Sequence, residues 1–126
     1  MTDQIEIDRV YNFVIDNLGF GPLSHEEVSE IYKDGRPCSH LLEPCLVKWF
    51  PALTHIKGCK GYDHIDQSGQ KYDAKNFTRS GGLRFMPSNQ IGAGRKLNLN
   101  EVEKKSRELV YICCDIVDFP KVRVVF

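Results

Sequence analysis

The feature that most constrains the fold is a pair of short segments in which polar and apolar residues alternate. The segments, GYDHID and QKYDAKNFT, are separated by the turn residues Gln67, Ser68 and Gly69. Alternation with a period of two, interrupted by small and polar residues, predicts an antiparallel β-hairpin over residues 60–78. The other predicted elements are helices and strands on either side of this hairpin.

The N-terminal region has the pattern of two helices. A first, amphipathic helix is predicted over residues 4–18, where four apolar residues recur at helical spacing: Ile7, Tyr11, Val14 and Leu18. Ser24 and Glu27 then form a capping box, a strong sequence signal for a helix start, and this second helix should end near residue 35.

Three further segments complete the pattern. A third helix is expected over residues 44–54, with Pro44 in its first turn, and a fourth over residues 100–109. Residues 110–119 and the C-terminal KVRVVF are apolar and strand-like, and the latter strand has a possible open edge. Helices combined with a hairpin and two more strands indicate an α/β chain of the α+β kind.

Length and composition indicate the general class of protein. The 126 residues are expected to form a single domain over residues 1–126. No run of about 18 apolar residues occurs, and the first residues are acidic, so neither a membrane span nor an export signal is expected. The five cysteines are odd in number and are interpreted as thiols in a reducing compartment, which predicts a cytoplasmic location.

The net charge of zero conceals an uneven distribution of charged residues. Residues 1–35 contain eight acids and two bases, a net charge of −6. The segment 74–98 contains no acid and five bases, which are Lys75, Arg79, Arg84, Arg95 and Lys96. The second half of the chain is therefore the half that could meet a polyanion, although a solvated basic loop is the alternative.

The hairpin carries a candidate metal site. If Gly69 takes the left-handed position of a three-residue turn, Asp63 lies opposite Asp73. Two carboxylates opposite each other repel unless a cation neutralises them, and Lys75 follows Asp73 on the same face of its strand. These oxygen ligands suit Mg²⁺. A different turn length would place Asp63 opposite Ala74 instead.

Asp63 together with Asp73-Ala74-Lys75 resembles the bipartite signature of the PD-(D/E)xK nuclease superfamily, whose fold is restriction-endonuclease-like. The resemblance covers about residues 40–126 and implies a central mixed sheet with a catalytic β-hairpin flanked by helices, preceded here by an acidic, helical extension over residues 1–35. It also implies an endonuclease that cuts double-stranded DNA with Mg²⁺, for which Mn²⁺ can substitute. By its place before the hairpin, Glu43 matches the acid that family members often add from the preceding helix.

The same resemblance suggests how DNA is held. The expected DNA contacts are Arg79, Arg84, Arg95 and Lys96. Because a DNA duplex has two-fold symmetry, a homodimer or a higher homo-oligomer is expected. The sequence does not choose between a restriction, a homing and a repair enzyme.

A second class of function has its own residues. Three cysteines and three histidines lie within residues 38–64 and could bind zinc: Cys38, His40, Cys45, His55, Cys59 and His64. The alternative is therefore a zinc-containing module that binds nucleic acid or protein without catalysis. Its spacings do not match the usual zinc-ligand pairs, and Cys45 is also expected as apolar filler of a helix.

Overall fold

A computed structural model of the chain describes residues 5–57, 61–79, 81–82 and 108–126. These residues form an α+β fold with two helices and a mixed sheet of six strands. The elements in chain order are β1 (Val10–Val14), α1 (His25–Ile31), α2 (Gly35–Trp49), β2 (Thr54–His55), β3 (His64–Ile65), β4 (Lys71–Phe77), β5 (Leu109–Asp115) and β6 (Lys121–Val125). Neither helix in this part of the chain is long and apolar enough to cross a membrane.

The strands of the sheet follow the order β1-β6-β5-β4-β3-β2. All neighbouring strands are antiparallel except β4 and β5, which run parallel. A parallel neighbour requires a crossover connection, and residues 78–108 make it. Most of the predicted helix over residues 100–109 belongs to this connection and lies outside the described residues.

The predicted N-terminal helix over residues 4–18 is wrong, because its centre is strand β1. Tyr11 and Phe13 are the inward residues of β1, two positions apart, and Phe13 stacks on Trp49 with ring centroids 4.2 Å apart. Aromatic and β-branched residues favour strands, and in this strand the rings of Tyr11 and Phe13 pack edge-on against Phe50. The helical spacing of the apolar residues therefore arose by chance, from a strand followed by an irregular segment.

Helix α1 confirms the predicted capping box. The Ser24 hydroxyl accepts a hydrogen bond from the Glu27 amide at 3.1 Å, and the Glu27 carboxylate accepts one from the Ser24 amide at 3.2 Å. The helix is shorter than predicted and ends at Ile31. Asp34 soon starts the next helix, since its carboxylate accepts from the Arg36 amide at 2.9 Å.

Helix α2 begins nine residues before the predicted start at Pro44, which lies inside it. A proline inside a helix removes one hydrogen bond and costs about 3 kcal/mol. Burial of Cys38, Leu42 and Leu46 along one side of the helix offsets this cost. Proline is common in the first turn of a helix, which is why the helix was predicted to start at Pro44. The apolar residues before Pro44 are the signal for the earlier start.

Helix α2 packs on the face of the sheet where the core lies. Alternation along β4 places Tyr72, Ala74 and Asn76 on one face and Asp73 and Lys75 on the other. The Asn76 amide donates to the Gly35 carbonyl and to the Ser39 hydroxyl, both at 2.9 Å. The first turn of α2 is thus attached directly to β4.

Strand β6 lies inside the sheet, between β5 and β1, so the predicted open edge of KVRVVF is wrong. Phe126 is 6% exposed and contacts the rings of Tyr11, Phe50 and Tyr72 edge-on. The chain buries this segment because β1, predicted as a helix, is in fact the outer strand.

Candidate active site

The turn of the hairpin has the predicted register. Gly69 has a left-handed backbone, with φ of 89°, and the Asp66 amide donates to the Gln70 carbonyl at 3.0 Å. His64 then pairs with Tyr72, as predicted. This register confirms the three-residue turn and fixes which residues of β3 and β4 approach each other.

Asp63 leaves the ladder just where it was expected to face Asp73. Its amide donates to the Tyr72 carbonyl at 2.9 Å, and its carbonyl accepts from the Ile56 amide at 2.7 Å. Its carboxylate accepts a hydrogen bond from the Ala74 amide at 2.9 Å. The side chain of Asp63 therefore occupies the place of a strand carbonyl and is held against β4.

Asp73 and Lys75 form an ion pair on the same face of β4. The Lys75 Nζ atom lies 3.0 Å from an Asp73 carboxylate oxygen, and the two side chains are 16% and 14% exposed respectively. An ion pair that is mostly removed from water is screened little by salt.

The carboxyl groups of Asp63 and Asp73 interact directly. Burial and the hydrogen bond with Asp63 raise the pKa of Asp73 from 3.8 to about 6, although Lys75 opposes this shift. Two carboxylates side by side do not both ionise readily, so one proton is retained to higher pH than usual. A divalent cation would replace that proton.

Glu43 extends from α2 toward the same region. Its carboxylate lies 3.1 Å from His55 Nε2, and its backbone carbonyl lies 3.2 Å from His64 Nε2. Burial lowers the pKa of His64, although the hydrogen bond to Glu43 opposes the shift, so the buried ring is neutral and donates Nε2–H to the carbonyl. The two histidines fix both the backbone and the side chain of Glu43.

A cavity of about 1030 Å³ joins these groups. Its walls come from the end of α1, from α2, from Asp63 before β3, from β4 and the residues after it, and from the segment that follows β5. All four predicted catalytic residues line it, namely Glu43, Asp63, Asp73 and Lys75.

The basic residues of the cavity differ in part from those predicted. Arg79 lines the wall, whereas Arg84, Arg95 and Lys96 lie outside the described residues. Lys33 and Arg36 also line the cavity and were missed. For Arg36, the sequence signal was Asp34, whose carboxylate caps α2 and so places Arg36 in the first turn of this helix, beside β4.

Asp63 and Asp73 fit a Mg²⁺ ion better than they fit a softer metal. Within the described ranges, no three residues of His, Cys, Asp or Glu are gathered as a metal cage. Mg²⁺ commonly takes only one or two carboxylates and completes its shell with water and substrate phosphate. The pair of carboxylates, one of which has a raised pKa, is a suitable donor set.

The cysteines of the predicted zinc alternative lie mostly in α2. Cys38 belongs to the core, and burial raises the pKa of its thiol to about 12. Burial also raises the pKa of Cys45, so both thiols are poor sources of the thiolate that binds zinc. Cys59 lies outside the described residues.

Comparison of the chain with protein-family models, with curated proteins and with solved structures finds no match in any of the three. The functional interpretation therefore depends on the residues and geometry of the cavity.

Proposed function

We propose that this protein is a Mg²⁺-dependent endonuclease that hydrolyses phosphodiester bonds of double-stranded DNA. The observation that carries the proposal is the placement of Asp63, Asp73 and Lys75 in the wall of one open cavity, with Lys75 3.0 Å from Asp73. The order of α2, the β3–β4 hairpin and β5 also agrees with the element order of the PD-(D/E)xK nucleases that the motif resembles.

Asp63 and Asp73 are the residues that would hold the metal. The position of Asp63 is fixed, because its carboxylate accepts a hydrogen bond from the Ala74 amide of the neighbouring strand. Because the pKa of Asp73 is raised to about 6, a cation at this carboxylate would compete with a proton below that pH. Bound Mg²⁺ supplies a Lewis acid for the phosphoryl oxygen and lowers the pKa of a bound water.

Lys75 is the group that would act on the reacting phosphate. Its ammonium is held at the carboxyl pair by Asp73, and its side chain is only 16% exposed, so water weakens the field of this charge little at short range. A cation in this place orients the attacking water and stabilises the negative charge that develops in the transition state. Glu43, fixed by His55, is placed to accept a proton or a hydrogen bond from water in the same cavity.

The basic side chains around the cavity would hold the DNA backbone. Arg79 lines the wall, and the Arg36 side chain, although paired with Asp34 at 2.9 Å, is 90% exposed. An exposed guanidinium can exchange a carboxylate partner for a phosphate. A reducing, cytoplasmic location is part of the proposal and agrees with the free thiols of Cys38 and Cys114.

The decisive test is cleavage of supercoiled plasmid by the purified chain in Mg²⁺, in Mn²⁺ and in EDTA. We expect cleavage in either metal and none in EDTA. Lys75→Met should remove the activity, whereas Lys33→Met, which changes a lysine in the same cavity wall, should lower it only a few-fold by weakening contact with the DNA backbone. Asp63→Asn should likewise be inactive, with Asp118→Asn as the matched acid control from the same cavity.

Three outcomes would contradict the proposal. Cleavage that persists in EDTA would exclude the metal mechanism. Equal losses in Lys75→Met and Lys33→Met would assign the lysines to general DNA binding. Absence of cleavage together with zinc in protein purified without added metal would favour the non-catalytic zinc module.

A further inference from the structure

His64 is a histidine that the fold buries completely, next to the cavity wall. It is 0% exposed and does not itself line the cavity, so it does not contact a substrate or a metal ion there. Histidine is less often fully buried than aliphatic residues, because its ring has two nitrogen atoms that need partners. This position therefore holds a polar side chain where an apolar one would fill the same space.

Only one of the two ring nitrogens of His64 has a partner among the described residues. Nε2 lies 3.2 Å from the Glu43 carbonyl, and a carbonyl can only accept a hydrogen bond, so Nε2 carries the hydrogen. Nδ1 is then an acceptor, and it has no hydrogen-bond partner in the part of the chain that the structure describes. A buried acceptor without a donor lowers the stability of the fold.

The hydrogen bond to Glu43 is not needed to satisfy the backbone that it reaches. Glu43 lies inside α2, where its carbonyl also accepts from the Val47 amide in the regular helical pattern. Removing the imidazole would therefore leave no buried carbonyl without a donor. The His64 ring is costly to bury, and folding of α2 does not require it.

The surroundings of His64 connect it to the acids of the cavity. It directly follows Asp63 in the chain, and in the sheet it pairs with Tyr72, the residue before Asp73. Its side chain contacts the backbone of Glu43 in α2. One buried side chain thus links both strands of the hairpin to the helix at the level of the cavity acids.

His55 completes the link between the hairpin and Glu43. It pairs with His64 across β2 and β3, and the two ring centroids lie 5.2 Å apart. His55 Nε2 lies 3.1 Å from the Glu43 carboxylate. His64 holds the main chain of Glu43 and His55 holds its side chain, so a change at His64 would move the carboxylate relative to the hairpin.

We propose that His64 is a positioning residue, which fixes the distance of the Glu43 carboxylate from the carboxylates of Asp63 and Asp73. The inference rests on the proposed function and adds to it a residue that touches neither metal nor DNA. Side chains that support metal ligands from behind commonly change metal affinity or activity by about 10–100-fold. The unsatisfied Nδ1 is then a loss of stability that the geometry of the site requires.

Two substitutions of His64 separate positioning from a purely structural role. His64→Leu should lower the rate of plasmid cleavage in Mg²⁺ by about 10–100-fold. Its urea midpoint should stay the same or rise, because the unsatisfied acceptor is gone. His64→Gln can donate to the Glu43 carbonyl, so it should keep more activity than His64→Leu while having the lower midpoint. A purely structural ring would make activity and stability fall together.

Val124→Ala is the matched control for a change in the core. Val124 is 0% exposed, lies in β6 and does not line the cavity. The substitution leaves a space in the core and should lower the urea midpoint, but cleavage by the folded protein should stay within a few-fold of the parent rate.

Titration calorimetry with Mn²⁺ gives a readout that does not need cleavage. His64→Leu should weaken Mn²⁺ binding by about tenfold, and Val124→Ala should leave it unchanged. If the parent binds Mn²⁺ without cutting DNA, the proposed nuclease is wrong, and weaker binding by His64→Leu still supports positioning. The inference is overturned if His64→Leu cleaves and binds Mn²⁺ as the parent does, if its urea midpoint falls, or if the parent binds no Mn²⁺.

Discussion

The two ends of the β3–β4 hairpin use aspartate in opposite ways. At the turn, the Asp66 carboxylate accepts hydrogen bonds from the Ser68 amide and hydroxyl, the Gln70 amide and the Tyr72 hydroxyl, at 2.6 to 3.1 Å. Burial alone raises the pKa of Asp66, but these hydrogen bonds outweigh it and lower the pKa below its usual value. At the other end, burial and Asp63 raise the pKa of Asp73 to about 6.

The contrast separates a carboxylate that stabilises the fold from one that lacks a full set of partners. Asp66 has donors for both oxygens, so its negative charge contributes to the turn. Asp73 has Lys75 on one side and another acid on the other, and in the metal-free protein it ionises only at a higher pH than an ordinary aspartate. Unfavourable local electrostatics of this kind are typical of functional sites.

The largest expected difference between the two ends is in activity. Asp73→Asn should reduce plasmid cleavage by on the order of a thousandfold, because it removes a metal ligand. Asp66→Asn should change the rate only a few-fold, since Asp66 belongs to the turn. Single-turnover cleavage rates in Mg²⁺ measure both, and an inactive Asp66→Asn that is correctly folded would place the chemistry at the turn.

Stability should show the opposite ranking. Asp66→Ala leaves several donors at the turn without an acceptor and should lower the free energy of unfolding by about 2 kcal/mol. Asp73→Asn should change it much less in metal-free protein, since losing the pair with Lys75 is balanced by losing the repulsion from Asp63. Urea denaturation in EDTA compares the two, and a larger loss in Asp73→Asn would show that its ion pair is mainly structural.

The dependence of stability on pH should have opposite signs at the two ends. The pKa of Asp73 in the folded protein is about 6, above the usual 3.8. Its contribution to the free energy of unfolding is therefore present at low pH and is lost as pH rises through 6. Between pH 5 and 7.5 this group should lower the stability of metal-free protein by roughly 1 to 2 kcal/mol. Asp66, with its lowered pKa, contributes above pH 4 and loses its contribution as pH falls further.

Asp63→Asn sharpens the pH comparison. The amide oxygen can still accept from the Ala74 amide, but the second negative charge is gone. We expect the pH dependence between 5 and 7.5 to become shallower and the free energy of unfolding at pH 7.5 to rise by about 1 kcal/mol. Denaturation series at several pH values in EDTA measure this, and an unchanged slope would mean that burial alone shifts Asp73.

The smallest expected effect concerns the turn backbone. Gly69→Ala should cost about 1 kcal/mol, because φ of 89° disfavours a side chain, although no atom lies within 4 Å of an added Cβ. Gln67→Ala, at an exposed position of the same turn, is the control and should be nearly neutral. A loss larger than that of Asp66→Ala would show that the glycine, and not the carboxylate, dominates the turn.

Local signals in the sequence were sufficient for the elements that depend on neighbouring residues. The Ser24 and Glu27 capping box and the three-residue turn at Gly69 were predicted because each is satisfied within a few residues. The approach of Asp63 to Asp73 also followed from the turn length, whereas the capture of the Ala74 amide by Asp63 did not. When a side chain accepts a hydrogen bond in place of a strand carbonyl, the alternation of polar and apolar residues does not reveal it.

The errors lie where distant residues decide the structure. Residues 10–14 form a strand because β6, from the other end of the chain, pairs with them. Helix α2 continues through Pro44 because burial of Leu42 and Leu46 on either side offsets the lost hydrogen bond. Arg36 was missed for a related reason, since only the packing of α2 on β4 brings its first turn to the cavity.

The pairing of β1 with β6 also determines when the sheet can be completed. Val10 is made 115 residues before its partner Val125, so β1 lacks this neighbour while the chain between them is being translated. Contacts this distant in sequence slow folding, because a long loop must close before they form. The rings of Tyr11 and Phe13 should therefore stay accessible to chaperones on the ribosome until residues 121–125 arrive.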